Sequence, residues 1–587
     1  MKEKLIFANE NCIGCNQCVR ICRSFGASIS LNKAEKSSIV INNDRCIVCG
    51  ACIDVCKHNA RDYYDDTERF FADLKNGEEI TVLFAPSFAA KYPEYKTYLA
   101  ALKRLGVKRI INVAIGADIC TWAYVKMITE RNYSGAISTS CPAVVSYFEH
   151  WMPELLPRLM PVKSPMMCTA VYCRKELNMK GKFAFLGPCI AKRMEMDKYP
   201  ELIQYNVTFA KLIKHLKNIK ENEEIQPEDF DAGLGTFYPA PGGLADNVKW
   251  LLGDDTKIRI ISGKSYLYQR LSNHAHIFNR NMPYVLFDAL NCQEGCLEGT
   301  AKQGEESREE RGLLEINEIR KKSKKSSPDS PWNPKLTCKE RWEKMQKQFG
   351  NLTLEDYMTS FTDQSASCQV SYPTEEEADE IYNSMHKETK KSREVNCSSC
   401  GYDTCEHMMI AIHNGFNTKY NCVYFEKEEA LHLMKMSFSD ELTGVMNRNA
   451  LESSWAKAFV EGAPAAIISA DVNGLKEIND LFGHAEGDRL IVGTAKALSK
   501  RFRKDRVFRT GGDEFLVLLQ DYDKEEIITS IQYVEQFLKD TGIYVSIGLA
   551  YQEKYDGNMK ELAATADMEM YKEKEMFYQS TGKKRRI

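Results

Sequence analysis

The sequence predicts a chain of several domains with α/β and α+β folds, and three observations lead to this prediction. The 587 residues exceed what one hydrophobic core normally organises. Apolar runs of strand length alternate with helical patterns from about Glu79 to Lys302, and such runs return at Ala465. Most of the 21 cysteines lie in Cys-x-x-Cys groups on this long chain, which favours metal binding over disulfides.

The overall charge gives no support for a nucleic-acid or membrane partner. The formal net charge is -3, which is too small to imply attraction to a polyanion. No apolar run reaches the roughly 18 to 20 residues that span a bilayer, and the first residues, Met1 to Leu5, lack a signal-peptide core. We therefore expect a cytoplasmic protein that binds neither nucleic acid nor membrane.

Two identical cysteine runs lie near the N-terminus. Successive cysteines are separated by two, two and three residues in both runs: Cys12, Cys15, Cys18, Cys22 and Cys46, Cys49, Cys52, Cys56. This doubled pattern resembles the bacterial two-cluster ferredoxins, in which three cysteines of one run and the fourth of the other hold each 4Fe-4S cluster. The resemblance implies the ligand sets Cys12, Cys15, Cys18, Cys56 and Cys46, Cys49, Cys52, Cys22. Zinc is the alternative, although this doubled spacing is not a usual zinc pattern.

The central region contains three short motifs around isolated cysteines. They are Thr139-Ser140-Cys141-Pro142, the stretch from Gly187-Pro188-Cys189 to Glu195, and Cys292-Gln293-Glu294-Gly295-Cys296. In this order they resemble the three active-site motifs of FeFe hydrogenases. The resemblance implies an H-cluster, with a 4Fe-4S cubane on Cys141, Cys189, Cys292 and Cys296 and a two-iron subcluster bridged by Cys296. Lys192 would donate to a cyanide ligand of that subcluster, and Ser140 and Glu195 would also belong to the cofactor-binding residues.

The central motifs also depart from those of catalytic hydrogenases. The family's catalytic members have a proton-relaying cysteine where this chain has Ser140, whose hydroxyl is far less acidic than a thiol. Gly187 and Leu290 stand where Met is usual, and Asp288 stands where Glu is common. These differences resemble the sensory branch of the family and favour detection of hydrogen, carbon monoxide or redox state over rapid turnover. A domain with only a cubane, or with no metal, is the alternative.

A further cysteine group lies near residue 400. Cys397, Cys400 and Cys405, followed by Cys422, resemble a small 4Fe-4S domain of sensory hydrogenases and corrinoid proteins. The apolar run around Met408 predicts a short helix between the third and fourth ligands. Zinc is again the main alternative. The helices predicted from residue 338 to 395 are charged, and we expect them to form a linker.

The stretch from 423 to 440 is the only connection between that cysteine group and the C-terminal region. Tyr424, Leu431, Met434 and Phe438 are spaced by seven, three and four residues, which is compatible with a short dimeric helix seam. Burial against the chain's own domains is an equal possibility, because one and a half heptads do not define a coiled coil. We call residues 423 to 440 the signalling helix.

Two apolar runs in the C-terminal region each adjoin acidic residues. The run Ala465 to Ala470 precedes Asp471, and Gly511-Gly512-Asp513-Glu514 precedes a second run. Two strands would therefore bring hard oxygen ligands together beside a glycine turn, a combination suited to Mg²⁺ carrying nucleotide phosphates. An acidic hairpin tip without a ligand is the simpler interpretation.

The residues around the turn resemble the GGDEF diguanylate cyclase family over about 145 residues. The matching motifs begin at Asp440, Asp471 and Phe482 and end at the turn itself. The resemblance implies a central antiparallel sheet flanked by helices, and condensation of two GTP into cyclic di-GMP by a dimer. It assigns Mg²⁺ to Asp471, the Val472 carbonyl and Asp513, with Glu514, Gly511 and Gly512 in the catalytic turn. It assigns the guanine to Asn479 and Asp488, and the phosphates to Lys476 and Lys574.

Two positions depart from the GGDEF pattern. Tyr578 stands where some members have a phosphate-binding Arg. Many members also carry an inhibitory Arg-x-x-Asp product site, but here Phe502 stands at the Arg position and Asp505 at the Asp position. Because Phe cannot make bidentate hydrogen bonds to guanine or phosphate, we expect weak product feedback.

Together these features predict a diguanylate cyclase controlled by an iron-sulfur sensory region. The expected domains are 1-75 (two-cluster ferredoxin), 76-335 (hydrogenase-like), 336-422 (helical linker and 4Fe-4S domain), the signalling helix and 441-587 (GGDEF). The expected cofactors are Mg²⁺, three 4Fe-4S clusters and an H-cluster, and the expected partners are GTP, a second copy of the chain and a redox protein. The alternatives are a hydrogenase with a GGDEF domain that only binds nucleotide, and a sensor with cubanes alone.

Overall fold

The structure is a computed structural model of the full chain. It describes residues 5-33, 36-217, 223-228, 230, 233-273, 283-301, 308-324 and 330-581. The chain divides into two compact units, Met1–Val423 and Tyr424–Ile587, which we describe separately. The boundary lies at the first residues of the predicted signalling helix, and the finer domain limits drawn from the sequence remain predictions.

The first unit begins with two antiparallel strand pairs around the doubled cysteine runs. Ile6–Ala8 pairs with Arg61–Tyr63, and Ser28–Lys33 pairs with Lys36–Ile41. Each run continues into a short helix, Gln17–Ile21 or Ala51–Asp54. The residue before each helix, Asn16 or Gly50, has a left-handed backbone with φ of 59° or 77°, which these two residue types tolerate best. The local conformation therefore repeats with the sequence.

Two parallel sheets form the centre of the first unit. The larger has the order Arg109–Asn112, Ile80–Phe84, Lys182–Gly187, Tyr205–Thr208, and the smaller has the order Ile258–Ser262, Leu286–Leu290, Ala136–Ile137. Every residue of Ile80–Phe84 is buried, as expected for a parallel strand covered on both faces. The predicted α/β fold of this region is confirmed.

Helices cover these sheets and fill the space around them. Their bounds are Thr67–Lys75, Ser87–Lys91, Tyr95–Arg104, Ala114–Glu130, Pro142–Trp151, Pro165–Lys175, Lys192–Lys198, Phe209–Leu216, Gly243–Leu252, Tyr266–Asn273 and Arg308–Ser323. Ala114–Glu130 and Pro165–Lys175 pack closely because Gly116 has no side chain: a Cβ there would lie 2.1 Å from the Pro165 carbonyl oxygen.

The helices after residue 337 are mostly charged, but some of their apolar side chains are buried. Their bounds are Cys338–Phe349, Glu375–Ser384, Lys390–Arg393 and Cys405–His413. Met345, Phe349 and Tyr357 are buried with Trp122 and Trp332 in one hydrophobic core. The first part of the expected linker is therefore packed against the helices Ala114–Glu130 and Gly243–Leu252 of the hydrogenase-like region, because a few apolar residues at helical spacing bury one face of a charged helix.

The second unit contains one antiparallel sheet. Its strand order is Val507–Arg509, Glu514–Gln520, Ala465–Val472, Val545–Gln552. The helices of this unit, with the helix that leads into it, are Val423–Phe438, Arg448–Ser454, Leu475–Phe482, His484–Phe502, Lys524–Asp540 and Met559–Thr581. The predicted antiparallel sheet flanked by helices is confirmed.

No helix among the described residues combines the length and the apolar character that a membrane crossing requires.

Two glycines of the second unit make a matched test of its packing. A Cβ on Gly548 would lie 2.1 Å from the Ala566 carbonyl oxygen and 2.2 Å from the Met570 amide nitrogen, and neither backbone atom can move without the helix Met559–Thr581. We predict that Gly548→Ala lowers the free energy of unfolding of this unit by about 1-3 kcal/mol. Hydrogen exchange of residues 545-552 in the full chain measures the loss.

Gly493→Ala is the control for this prediction. A Cβ on Gly493 would meet only the end of the flexible Ile543 side chain, at 2.4 Å. Alanine also favours a helix interior over glycine by about 0.5-1 kcal/mol. We expect unchanged or increased protection for Gly493→Ala, and equal losses for the two variants would contradict the packing argument.

Candidate functional site

The sheet of the second unit brings the predicted catalytic carboxylates together. Asp471 lies at the end of Ala465–Val472 and is the register partner of Glu514 on the adjacent antiparallel strand. The Val472 amide donates to the Asp513 carbonyl oxygen over 3.1 Å. Asp471, Val472, Asp513 and Glu514 therefore occupy the same edge of the sheet, next to Gly511 and Gly512. This placement is the one that the sequence predicted.

The electrostatics of this edge suit a divalent cation. Asp471 is buried, and Lys574 Nζ donates to its carboxylate over 2.6 Å. Burial raises the pKa of Asp471, Lys574 opposes that rise, and the negative charges of Asp513 and Glu514 add to it. Three carboxylates with one nearby lysine leave an excess of negative charge from hard oxygen ligands, the donor set that Mg²⁺ prefers. The residues present therefore fit a magnesium ion.

The predicted guanine-binding residues lie on two successive helices. Asn479 is on Leu475–Phe482, and Asp488 is on His484–Phe502, where it is exposed. The Asn479 side-chain oxygen is buried and has no hydrogen-bond partner in the part of the chain that the structure describes. A buried acceptor without a partner is costly, and this atom lies against Gly487, where a Cβ would be 1.9 Å away. The Asn479 side chain would gain a hydrogen bond by turning toward a ligand. Lys476 is exposed on the same helix as Asn479.

Arg509 connects the turn to Asp440, the last residue of the predicted signalling helix. Its guanidinium donates to the Gly512 carbonyl oxygen over 2.7 Å and to both Asp440 carboxylate oxygens over 3.0 and 3.1 Å. Burial opposes ionisation of Asp440, but hydrogen bonds from Thr443 and Arg509 lower its pKa. The sequence motifs contained Asp440 and Arg509, but nothing in the sequence showed that they pair.

The two departures from the GGDEF pattern have structural counterparts. The Tyr578 hydroxyl accepts a hydrogen bond from the Gly474 amide over 3.3 Å, just after Asp471 and Val472. Phe502 is buried in the hydrophobic core of this unit. Arg503, the next residue, makes an exposed ion pair with Asp505 over 2.9 Å. Phe502, at the position of the inhibitory arginine, therefore contributes to the hydrophobic core, and Asp505 is paired with Arg503.

In the first unit, a small cavity lies beside two of the predicted hydrogenase-type ligands. It has a volume of about 70 Å³, and apolar side chains line most of it. Its polar wall includes Cys189, Cys296, Lys192 and Ser140. A mostly apolar cavity with two cysteines and a lysine at its wall is chemically suited to a two-iron group with diatomic ligands.

Lys192 is held at this cavity by Glu195 and Ser140. Its ammonium donates to Glu195 over 2.9 Å and to the Ser140 carbonyl oxygen over 3.2 Å. Glu195 also accepts from the Ser164 hydroxyl over 2.7 Å. Burial alone would lower the pKa of Lys192, but Glu195 and the nearby cysteines raise it. Glu195 therefore positions Lys192 and keeps it charged. Tyr238 also lines the cavity. The sequence did not indicate this residue, because it belongs to none of the three cysteine motifs.

Some cysteines of the predicted sets lie near one another in three places of the first unit. Burial raises the pKa of Cys296 to about 12, with further contributions from Cys189 and Cys141. Burial likewise raises the pKa of Cys46 to about 12, with contributions from Cys49 and Cys22.

The third place is at Cys400. Burial raises its pKa to about 11, with contributions from Cys422 and Cys397. In the second N-terminal run, the contribution of Cys22 to the pKa of Cys46 shows that Cys22 lies near that run, as the crossed ferredoxin pattern requires. The complete ligand sets remain predictions.

Among the described residues, no three Cys, His, Asp or Glu side chains converge on one metal-ion position. A cubane does not require that arrangement, because each of its four thiolates binds a different iron atom.

Close contacts join the three cysteine regions of this unit. Asn291 donates to the Cys49 carbonyl oxygen over 3.0 Å and lies 3.4 Å from the Cys292 sulfur. On the other side, a Cβ on Gly401 would lie 2.9 Å from Val19, and a Cβ on Gly26 would lie 2.6 Å from the Phe416 ring. The N-terminal cysteine region therefore contacts both the hydrogenase-like region and the region around Cys400.

Three family models match this chain. Residues 11-60 match the 4Fe-4S dicluster domain, residues 78-300 match the C-terminal domain of the iron only hydrogenase large subunit, and residues 437-578 match the diguanylate cyclase GGDEF domain. These matches confirm the ferredoxin, hydrogenase and GGDEF resemblances and the fold class predicted from the sequence, whereas the 4Fe-4S domain around Cys400 stays a prediction. The chain is thus a multidomain protein that joins iron-sulfur and hydrogenase-like domains to a GGDEF domain.

Several curated proteins similar to this chain are diguanylate cyclases. The probable diguanylate cyclases DgcJ and DgcC of Escherichia coli (strain K12) are both 30% identical to this chain, over 152 and 160 residues. The alignments cover 24% and 25% of this chain and 31% and 43% of those proteins. The chain therefore matches less than half the length of these relatives.

Among solved structures, a variant of the FeFe hydrogenase HydA1 from Chlamydomonas reinhardtii aligns at 13% identity and a TM-score of 0.36, over 51% of this chain and 98% of that one.

A carboxyl pair next to Lys574 predicts a pH effect on the second unit. Glu573 accepts a hydrogen bond from the Ile547 amide and lies beside Glu535. Burial raises the pKa of Glu573 from 4.5 to about 7, and Glu535 adds to the rise. The folded state therefore binds this proton more tightly than the unfolded state does.

We predict that the contribution of Glu573 to the free energy of unfolding of this unit is fully present below about pH 4.5. This contribution falls as the pH rises through about 7. Glu573→Gln should flatten the dependence and stabilise the unit at pH 8, because the amide carries no charge to bury. Denaturation followed by hydrogen exchange of residues 465-472 at several pH values measures this. Glu575→Gln, on the exposed side of the same helix, is the control, and an equal effect of both variants would contradict the assignment.

Proposed function

We propose that this chain is a diguanylate cyclase controlled by its iron-sulfur and hydrogenase-like region. The observation that supports the reaction most strongly is the register pairing of Asp471 with Glu514, next to Asp513 in the chain, with Lys574 bound to Asp471. All four residues lie within the range matched by the GGDEF model. The substrate is GTP, and the products are cyclic di-GMP and pyrophosphate. Because GTP and thiol-reducing conditions occur together in the cytoplasm, we place the protein there.

Each proposed site residue has a physical task. Asp471, the Val472 carbonyl and Asp513 would hold Mg²⁺, which when bound neutralises phosphate charge. Lys574 and Lys476 bind phosphate oxygens, and Lys574 also limits the repulsion between Asp471 and its neighbours. Glu514 is placed to add a metal ligand or to take the proton from the attacking hydroxyl.

Base recognition falls to Asn479 and Asp488. The Asn479 oxygen accepts a guanine donor, and the exposed Asp488 carboxylate accepts from the N1 and 2-amino groups. Reaction requires two half-sites, because the 3'-hydroxyl of one GTP attacks the α-phosphate of the other in line. We therefore propose a homodimer. Leu431 and Met434 on the helix Val423–Phe438 are 42% and 57% exposed, which fits a seam completed by a second copy.

The first unit is proposed to hold three 4Fe-4S clusters on the cysteine sets given above, together with an H-cluster. The donor set fits, because thiolates are soft ligands suited to iron, and the apolar cavity beside Cys296 fits the two-iron group. When bound, such a group supplies reversible hydrogen oxidation. Ser140 gives poor proton transfer at the cavity, so the region senses hydrogen, carbon monoxide or redox state rather than turning over rapidly. A redox protein is the proposed external electron partner.

The first prediction concerns the reaction. Asp513→Asn should lower the rate of cyclic di-GMP formation from GTP by at least about 100-fold, because it removes charge stabilisation at the phosphates. Chromatographic detection of the product measures the rate. Asp521→Asn, an exposed residue just after the same strand, should leave the rate near that of the wild type. A wild-type protein without cyclase activity in any redox state would refute the proposed reaction.

The second prediction concerns control. Anaerobically matured protein should show different cyclase rates when reduced and when oxidised, because the proposed clusters change charge with redox state. Infrared bands of carbon monoxide and cyanide ligands would separate an H-cluster from cubanes alone, and Asp513→Asn should leave those bands unchanged. Equal rates in both redox states, with and without hydrogen, would contradict redox control.

The third prediction concerns feedback. Because Phe502 is buried and Asp505 is paired with Arg503, cyclic di-GMP should inhibit the purified protein weakly. Asp505→Ala should not change the inhibition curve. Strong inhibition at micromolar product that Asp505→Ala abolishes would show that Arg503 and Asp505 form a working product site.

A further inference from the structure

Arg61 is a buried arginine within the N-terminal cysteine region. Its exposed fraction is 7%, and it begins the strand Arg61–Tyr63. One guanidinium nitrogen, Nη2, donates to the Cys18 sulfur over 3.0 Å. The other, Nη1, is buried and has no hydrogen-bond partner among the described residues. A buried charged donor without a partner is costly, so this atom points to a group that the protein side chains do not supply.

Arg61 lies near cysteines of both predicted ligand sets. Burial raises the pKa of Cys18, from the first set, and Arg61 opposes that rise. The strand Arg61–Tyr63 also packs against the helix Ala51–Asp54, which contains Cys52 of the second set. Arg61 again opposes the rise that burial causes in the pKa of Cys52. One fixed positive charge therefore acts on both cysteine sets.

Buried lysines near the other predicted ligands differ from Arg61 in their surroundings. Lys387 lies in the region around Cys400, where it donates to the Cys405 sulfur over 3.6 Å. Lys192, near Cys189 and Cys296, is paired with Glu195. Lys264, near Cys292, is paired with Asp54 and Glu298. No carboxylate lies within ion-pair distance of Arg61 in the described ranges. The positive charge of Arg61 is therefore offset mainly by the cysteines themselves.

We propose that Arg61 is the shared counter-charge of the two N-terminal 4Fe-4S clusters and raises the reduction potential of both. The inference rests on the proposed clusters, not on the cyclase reaction. Reduction adds one electron, and so one negative charge, to a cluster. A buried cation at short range stabilises that added charge strongly because little water screens it. The guanidinium stays protonated at any ordinary pH, so no proton accompanies the electron.

The chemistry of the Nη1 atom agrees with this role. Its N-H groups can donate to cysteine or cluster sulfur, and hydrogen bonds to sulfur are among the factors that set cluster potentials. The consequence is a preferred location for electrons. The cations near the hydrogenase-type cysteines are neutralised by carboxylates, whereas Arg61 is not, so electrons released there would collect on the N-terminal clusters. These clusters would adjoin the region around Cys400 through the Gly401 and Val19 contact.

The test compares three variants of the full chain after anaerobic reconstitution. Arg61→Gln removes the charge and retains hydrogen-bonding groups, and Arg61→Lys retains the charge. Arg20→Gln makes the same charge change on an exposed residue of the helix that contains Cys18. Iron and sulfide content are measured first, and the potentials of the N-terminal clusters are then measured by a redox titration followed by electron paramagnetic resonance.

We expect both N-terminal clusters to shift to more negative potential in Arg61→Gln, to shift less in Arg61→Lys, and to shift least in Arg20→Gln, whose charge water screens. Loss of iron from Arg61→Gln but not from Arg61→Lys would also support the counter-charge role. Unchanged potentials in Arg61→Gln with full iron content would overturn it, as would loss of iron from both Arg61 variants, which would show a packing role. Zinc instead of iron in the wild type would overturn it as well. The potentials do not depend on GTP, so a failure of the proposed cyclase activity would be seen separately.

Discussion

The folding of the first unit depends on how its buried cysteine thiolates are stabilised away from water. Burial raises the pKa of Cys52 and Cys292 well above the ordinary value, so each would be a neutral thiol in the absence of compensating charge. Thiolate is the form that binds iron, and its formation here requires the metal together with nearby cations. Folding of this unit and cluster binding are therefore linked, because each makes the other favourable.

The same requirement explains why the cysteine regions share one core. Cys12, Cys18 and Cys400 are buried in a single hydrophobic cluster, with Ile190 from the hydrogenase-like region. Each region supplies part of the apolar cover for its neighbours, because short loops around cysteines contain too few apolar residues to bury themselves. Gly26 and Gly401 permit the closest contacts, and both have positive φ. The region around Cys400 thus packs as part of the first unit, although the sequence suggested a separate small domain after a linker.

Sequence reasoning succeeded where the determining information is local. The apolar run at Ile80 predicted the strand Ile80–Phe84, and the motifs at Asp471 and Asp513 predicted two carboxylates at one sheet edge. It failed where the determining contact joins distant positions. The packing of Phe349 against Trp122 and the position of Arg61 beside both cysteine runs depend on the folded arrangement. Nothing in the residues adjacent to Arg61 distinguishes it from a surface arginine beginning a strand.

In the second unit, the residues of the proposed metal site and the end of the helix Val423–Phe438 are connected through one short turn. Gly512, whose carbonyl oxygen accepts from Arg509, is adjacent to Asp513, and Arg509 is held by Asp440. Asp440 comes two residues after the end of the helix Val423–Phe438. A shift of that helix end would therefore act on the Asp513 backbone through two charge-assisted contacts, which are stronger and more directional than apolar packing. In the proposed metal site Asp513 and Asp471 would hold one divalent cation, so a small displacement of Asp440 would change that site without unfolding any element.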